Sequence, residues 1–163
     1  KDLIREAGGR AILAPVGHTL LKEKMIAENA VFGGESSGHF FYRLSSGTFE
    51  APLVLLYAFL RFLSEQNKPL SAIVAPYKRY FNSGEQNVRL ASRDKGLAII
   101  EMLKEKFPDG EQTTLDGLTV EYPDFTFNVR LSNTEPLIRL IVESADKSVM
   151  EQKRDEIRTL LSA

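Results

Sequence analysis

The stretch DFTFNVRLSNTEPLIRLIVE, Asp124 to Glu143, alternates apolar and polar residues so regularly that few folds can accept it. Side chains of a strand point alternately to opposite faces, so Phe125, Phe127, Val129 and Leu131 share one face. Thr126, Asn128, Arg130 and Ser132 share the other. The loop Ser132 to Glu135 then returns the chain, and Arg139 stands three residues beyond Pro136 on the next strand. This spacing predicts an antiparallel pair with one face in a core and a polar loop at its end.

The surroundings agree with that pair. NVRLA, LTVEY and PLIRLIVES read as further strands, with a helix over about Lys95 to Phe107 and a closing helix over about Lys147 to Leu161. Strands met in succession with short connections predict an α+β domain, an antiparallel sheet of about four strands with two helices. The first half has another character. RAILAPV, AVFGG and FFYRL read as strands, TLLKEKMIAEN as an amphipathic helix, about Phe49 to Gln66 as a long apolar helix, and LSAIVAPYKRYF as a shorter one. Strands alternating with helices predict an α/β domain, partial, with a mixed sheet and helices on both faces. The expected division is residues 1–80, a hinge over 81–87 with Asn, Ser and Gly together, and 88–163. The opening KDLIREAGG resembles the last turns of a helix stopped by Gly8 and Gly9, and the chain starts with Lys1, so a fragment of a longer protein is expected.

Composition excludes some functions. A net charge of −1 gives no general affinity for nucleic acid or anionic membranes. With no cysteine there is neither a disulfide framework nor a thiolate metal site, which fits a reducing compartment, and a cytoplasmic location is expected. The most apolar run, APLVLLYAFLRFL, is interrupted by Arg61 and is shorter than the roughly 20 residues that span a bilayer.

Two loops carry chemistry. Around Ser132 to Glu135, Arg130 and Arg139 could flank two hydroxyls, an amide and several backbone N–H groups, a donor set that suits phosphate. A polar hairpin with cross-strand Arg–Glu pairs is the competing reading. The second loop lies in NAVFGGESSGHFFYRL, Asn29 to Leu44. GESSG formally matches the G-x-S-x-G nucleophile elbow with Ser36 as nucleophile, but that motif needs a following helix and a later histidine. A strand follows here, and His18 and His39 are the only histidines. His18, His39 and Glu35 also lack a recognised metal-ligand spacing. What remains is hydroxyl recognition: Glu35 can accept from adjacent hydroxyls, Ser37 can donate or accept beside it, and glycines admit a close approach. A self-satisfied glycine-rich loop is the alternative.

The same residues resemble a known family. GGESSGH is similar to the sugar-binding loop of the α-D-phosphohexomutases, and RLSNTEPLIR to their C-terminal phosphate-binding loop. PVGH, Pro15 to His18, and the segment YFNSGEQN resemble two further family segments, in the same order. The bacterial phosphomannomutase/phosphoglucomutase branch fits best, and the match covers most of the family's domain 3 and all of its domain 4. The resemblance implies that Glu35 and Ser37 hold sugar hydroxyls, and that Arg130, Ser132, Asn133, Thr134 and Arg139 grip the phosphate not being transferred. It implies that His18 and His39 lie near the reacting oxygens, with an acid–base or orienting role, and that Lys22 adds positive charge. The implied partners are a phosphorylated hexose and the missing N-terminal domains of the same protein. The implied cofactor is Mg2+, held in the intact enzyme outside this chain, since neither the family's phosphoserine loop nor its metal loop occurs here. The chain alone is therefore expected to be inactive. A non-catalytic phosphosugar-binding or regulatory module is the alternative. The family's domain 3 also begins with a strand ahead of Lys1, and the exposed sheet edge left without it would invite self-association.

Overall fold

The structure is a computed structural model that describes residues 1–162 apart from Ser36 and Asn133. The chain separates into two compact units, Lys1–Tyr77 and Lys78–Ala163.

The first unit holds α1 (Asp2–Glu6), α2 (His18–Ala27), β1 (Phe32–Gly34), β2 (Phe40–Leu44), β3 (Gly47–Glu50), α3 (Pro52–Ser64), α4 (Leu70–Val74) and a 3-10 turn, Ala75–Tyr77. Its three strands form an antiparallel sheet in the order β1-β2-β3. Leu21 and Met25, one turn apart on α2, meet the fully buried Phe41 of β2, with Ala14 and Ala30 packed around them. The α/β character expected here is present, with three local differences. RAILAPV forms no strand: residues 9–15 carry no regular element. An apolar run becomes a strand only where a neighbour accepts its ladder, and no described strand of this unit pairs with it. The sheet that forms is accordingly antiparallel rather than mixed. The third difference is that Phe49 and Glu50 end β3 instead of opening the long helix. Ala51 becomes its N-cap and Pro52 takes the first helical turn, where its missing N–H costs nothing.

Helix α3 is apolar yet has no buried residue, with Leu53, Tyr57 and Leu60 all more than half exposed. No described helix is long and apolar enough to cross a membrane.

The second unit contains β4 (Phe81–Asn82), β5 (Gln86–Arg89), α5 (Arg93–Lys106), β6 (Glu111–Thr113), β7 (Leu118–Glu121), β8 (Phe125–Leu131), β9 (Leu137–Ser144) and α6 (Lys147–Ser162). Six strands form one antiparallel sheet in the order β4-β9-β8-β7-β6, and β5 also pairs with β9. The excess over the four expected comes from β4 and β6, of two and three residues, too short to show a period. The alternation in β8 holds: Phe125, Phe127 and Val129 are buried, as are Ile138, Leu140 and Val142 of β9. They pack against Ile99, Ile100 and Leu103 of α5 and Met150, Ile157 and Leu161 of α6. Helix α5 starts where Ser92 Oγ accepts from the Lys95 N–H at 3.2 Å, satisfying one of the donors a helix start leaves open.

Candidate functional site

In the first unit, the segment between β1 and β2 places Glu35 against the start of α2. The Gly17 N–H donates to Glu35 Oε1 at 3.0 Å, and Ser37 Oγ donates to Oε2 at 2.9 Å. The Glu35 N–H bonds the His39 carbonyl at 2.9 Å, closing the loop, and Gly38 turns it with φ +90°, a conformation that side-chain-bearing residues rarely adopt. The Gly17 N–H, then the Ser37 hydroxyl, hold the Glu35 carboxyl below its ordinary range, because both stabilise the charged form. Glu35 thus stays an acceptor at neutral pH.

The two histidines converge on a residue the sequence reading placed elsewhere. His18 Nε2 lies 2.9 Å from Glu50 Oε2, and His39 Nδ1 lies 2.8 Å from Glu50 Oε1. Their rings stand 6.1 Å apart, edge to face, and His18 also leans edgewise on Phe41 at 4.8 Å. The hydrogen bond that His39 donates to the Glu50 carboxylate, reinforced by the charge of Glu50, raises the His39 pKa above its ordinary value. The same bond, with that to His18, lowers the Glu50 carboxyl. Glu35, Ser37, His18 and His39 therefore come together with Glu50 as a fifth member. Lys22 is directed instead over the Phe49 ring, 5.8 Å from its centroid. Glu50 was missed because its helical assignment hid the strand register that turns it toward the histidines.

In the second unit, Arg130 and Arg139 are direct cross-strand partners of β8 and β9. Like charges facing each other destabilise a sheet unless something lies between them. Glu85, just before β5, supplies it. Arg139 Nη1 donates to Glu85 Oε1 at 2.9 Å and Oε2 at 3.2 Å, and Arg130 Nη2 donates to Oε2 at 3.3 Å. Asp116 Oδ2 is 4.0 Å from Arg130 Nη1. Arg139 Nε is buried and has no hydrogen-bond partner among the described residues. Beyond the strands, Ser132 is buried, and its Oγ accepts long bonds from the Thr134 and Glu135 N–H groups at 3.4 and 3.3 Å. The Ser132 carbonyl lies 3.5 Å from Arg93 Nη1, and a cavity of about 250 Å³ opens between Arg93 and the loop, lined also by Ser132, Thr134 and Glu135. Asn133, also expected here, lies outside the described residues. Glu85 and Arg93 were not anticipated: one was absorbed into a hinge, and the other sits at the start of a helix with no motif to mark it.

Among the described residues no group of three or more His, Cys, Asp or Glu could hold a metal ion.

Comparison with known proteins places this architecture. The chain is similar to a solved phosphoglucomutase/phosphomannomutase family protein from Burkholderia thailandensis, with a TM-score of 0.79 and 31% identity over 98% of this chain and 34% of the other. The class is thus a pair of consecutive domains of mutase architecture, an α/β region followed by an α+β domain. The family domain described as "Phosphoglucomutase/phosphomannomutase, alpha/beta/alpha domain III" matches residues 1–80, and "Phosphoglucomutase/phosphomannomutase, C-terminal domain" matches residues 85–160. The chain belongs to the phosphoglucomutase/phosphomannomutase family. It is 39% identical to a phosphomannomutase of Methanocaldococcus jannaschii over 99% of its length, and 31% identical to the phosphomannomutase/phosphoglucomutase of Pseudomonas aeruginosa over 99%. It spans 35% of the length of each of these relatives.

Proposed function

We propose that this chain is the sugar- and phosphate-recognising part of a phosphohexomutase that interconverts hexose 1-phosphate and hexose 6-phosphate through a phosphoserine enzyme and a 1,6-bisphosphate intermediate. The observation that carries this reading is the pair of arginines in register on β8 and β9, one strand end away from the Ser132 loop. Two guanidiniums with hydroxyls and backbone N–H groups match the oxygens of a phosphate ester. In this reading Arg130, Arg139, Ser132, Thr134 and Asn133 hold the phosphate that is not moving.

Glu35 and Ser37 take the sugar hydroxyls. The ionised Glu35 accepts from them while the Gly17 N–H keeps it in place. His18 and His39, tied to one carboxylate, place two imidazoles where a proton can be given to or taken from an oxygen of the sugar. When the phosphoserine's P–O bond breaks, a new one forms to the sugar hydroxyl oxygen, whose proton passes to a base. This imidazole–carboxylate group is suited to that part. Recognition that positions the substrate without performing the transfer is worth much of the barrier in phosphoryl transfer, where charge stabilisation and alignment dominate.

The magnesium ion and the phosphoserine belong to the rest of the protein, which this chain would need for turnover. Bound there, the metal would neutralise charge on the moving phosphoryl group. The exposed Leu53, Tyr57 and Leu60 of α3 offer an apolar surface that such domains would cover.

Calorimetric titration with glucose 1,6-bisphosphate, beside an Arg130→Ala variant, tests the reading. Weak binding to the chain that disappears in the variant is expected. Equal binding by both proteins would refute the assignment of Arg130.

A further inference from the structure

Arg130 and Arg139 are already occupied. Glu85 bridges them through bonds of 2.9 to 3.3 Å, so the proposed phosphate receptor holds a carboxylate where an anionic ligand would be drawn. Resting on the phosphate reading above, we propose that Glu85 is the resident anion of this site, leaving the arginine pair when a phosphate dianion or phosphomonoester arrives.

Three observations support exchange over simple coexistence. First, the arrangement leaves Arg139 incompletely satisfied. Both Glu85 oxygens converge on Nη1, while Nε is buried and, among the described residues, unpartnered. A guanidinium binds an oxyanion best through two parallel N–H bonds, so the present pose is not the fork geometry it could adopt. Second, Glu85 is about one-third exposed, with its side chain at 32% accessibility, so on leaving the arginines its charge is taken up by water close at hand. Third, the acids facing the pair are Glu85 and, more distantly, Asp116, 4.0 Å from Arg130 Nη1. A phosphate dianion placed beside both carboxylates would meet strong repulsion, and only Glu85 lies between the arginines.

The arginine pair is thereby stabilised by the chain itself, since Glu85 screens two cations held opposite each other across β8 and β9. The bound site is correspondingly weaker than a bare arginine pair would be. In a protein that must release and regrip a phosphosugar, such a rival anion sets affinity and speeds release.

The test uses the 163-residue chain and inorganic phosphate at low ionic strength and pH 8, where the dianion prevails. Glu85→Gln should bind phosphate roughly tenfold more tightly than the parent, because phosphate then no longer has to displace a charged carboxylate that bridges both arginines at a partly solvated site. Arg139→Met should lose binding in either background. Unchanged or weaker binding by Glu85→Gln, with the arginine variant still inactive in binding, would overturn the displacement and leave Glu85 a scaffold, while the phosphate reading stands. Failure of the parent and of Glu85→Gln alike to bind phosphate would refute both. Should the variant not fold, carbon-13 NMR of the Glu85 carboxylate in the parent decides. Saturating phosphate should move its signal toward that of a solvated glutamate, and a signal that stays fixed while the Ser132 loop responds would contradict the proposal.

Discussion

Gly117, the residue before β7, carries a prediction that follows from geometry alone. Its φ is +71°, and a Cβ placed on it would lie 2.3 Å from the Val129 carbonyl oxygen, 2.7 Å from Arg130 Cβ and 2.8 Å from Arg130 Cα. Two costs therefore act on Gly117→Ala. An L-residue in the left-handed region costs about 1–2 kcal/mol. Forcing a methyl group into closely packed backbone costs about 1–3 kcal/mol more, because backbone cannot rotate away as a side-chain end can. Gly84 separates the two terms. It has a similar φ of +67°, but nothing lies within 4 Å of a Cβ built there. Gly84→Ala should lose only the conformational part, about 1 kcal/mol. The assay is native-state amide hydrogen exchange at Phe127, Val129 and Leu140, in the core of the second unit. Protection should fall about fivefold in Gly84→Ala and about a hundredfold in Gly117→Ala, with each 1.4 kcal/mol counting as a factor of ten. Equal losses in the two variants would refute the claim that β7 and β8 approach too closely here for a side chain. The same displacement would carry Arg130 with it, so phosphate binding should weaken in Gly117→Ala even at temperatures where the variant is folded.

Other consequences concern the histidine pair, the helix start and the core. Glu50→Gln should lower the His39 titration midpoint seen by NMR, since the raised pKa comes first from the hydrogen bond to Glu50; an unmoved midpoint would show that Glu50 is not its cause. The sign for stability follows. A raised histidine pKa adds stability that is complete below its ordinary value of 6.5 and vanishes as pH climbs through the folded value. The lowered Glu35 and Glu50 carboxyls add stability that is complete above their ordinary value of 4.5 and disappears as pH falls through the folded values. Denaturant midpoints of the first unit should therefore decline on both sides, and a flat profile from acid to alkaline pH would contradict the pairing. Ser92→Ala should cost about 1 kcal/mol by removing the cap that the Lys95 N–H uses, and chemical denaturation followed through the second unit will measure it. Phe127→Ala, emptying a fully buried position in the centre of β8, should cost about 3–5 kcal/mol in the same experiment.

Where a periodic pattern had its partners nearby, the sequence was enough. Phe125, Phe127 and Val129 took the buried face of β8 because β7 and β9 lie on either side of it in both space and chain. RAILAPV has an equally apolar composition but no described strand of its unit beside it to accept its ladder, and an unpaired strand is not a strand. Short pieces were illegible for a different reason: two residues at Phe81–Asn82 and three at Glu111–Thr113 show no period, and only the backbone of β9 or β7 reveals them. The site divides similarly. Glu35 and Ser37 were readable because they stand together in one glycine-bounded loop. Glu50 is 32 residues from His18 and 11 from His39, and only the β3 register brings its carboxylate to both rings. Glu85 is 45 residues from Arg130 and 54 from Arg139, so its place between them belongs to sheet order and not to any motif.

The division of labour between the two loops is the central claim, and amide chemical-shift mapping of the 163-residue chain tests it most directly. Titrated with inorganic phosphate, the amides from Arg130 to Arg139 should move while those from Gly34 to His39 stay still. Titrated with methyl glucoside, a sugar without phosphate, the pattern should reverse. Phosphate that moved the Gly34–His39 loop and left the Ser132 loop unchanged would contradict the account.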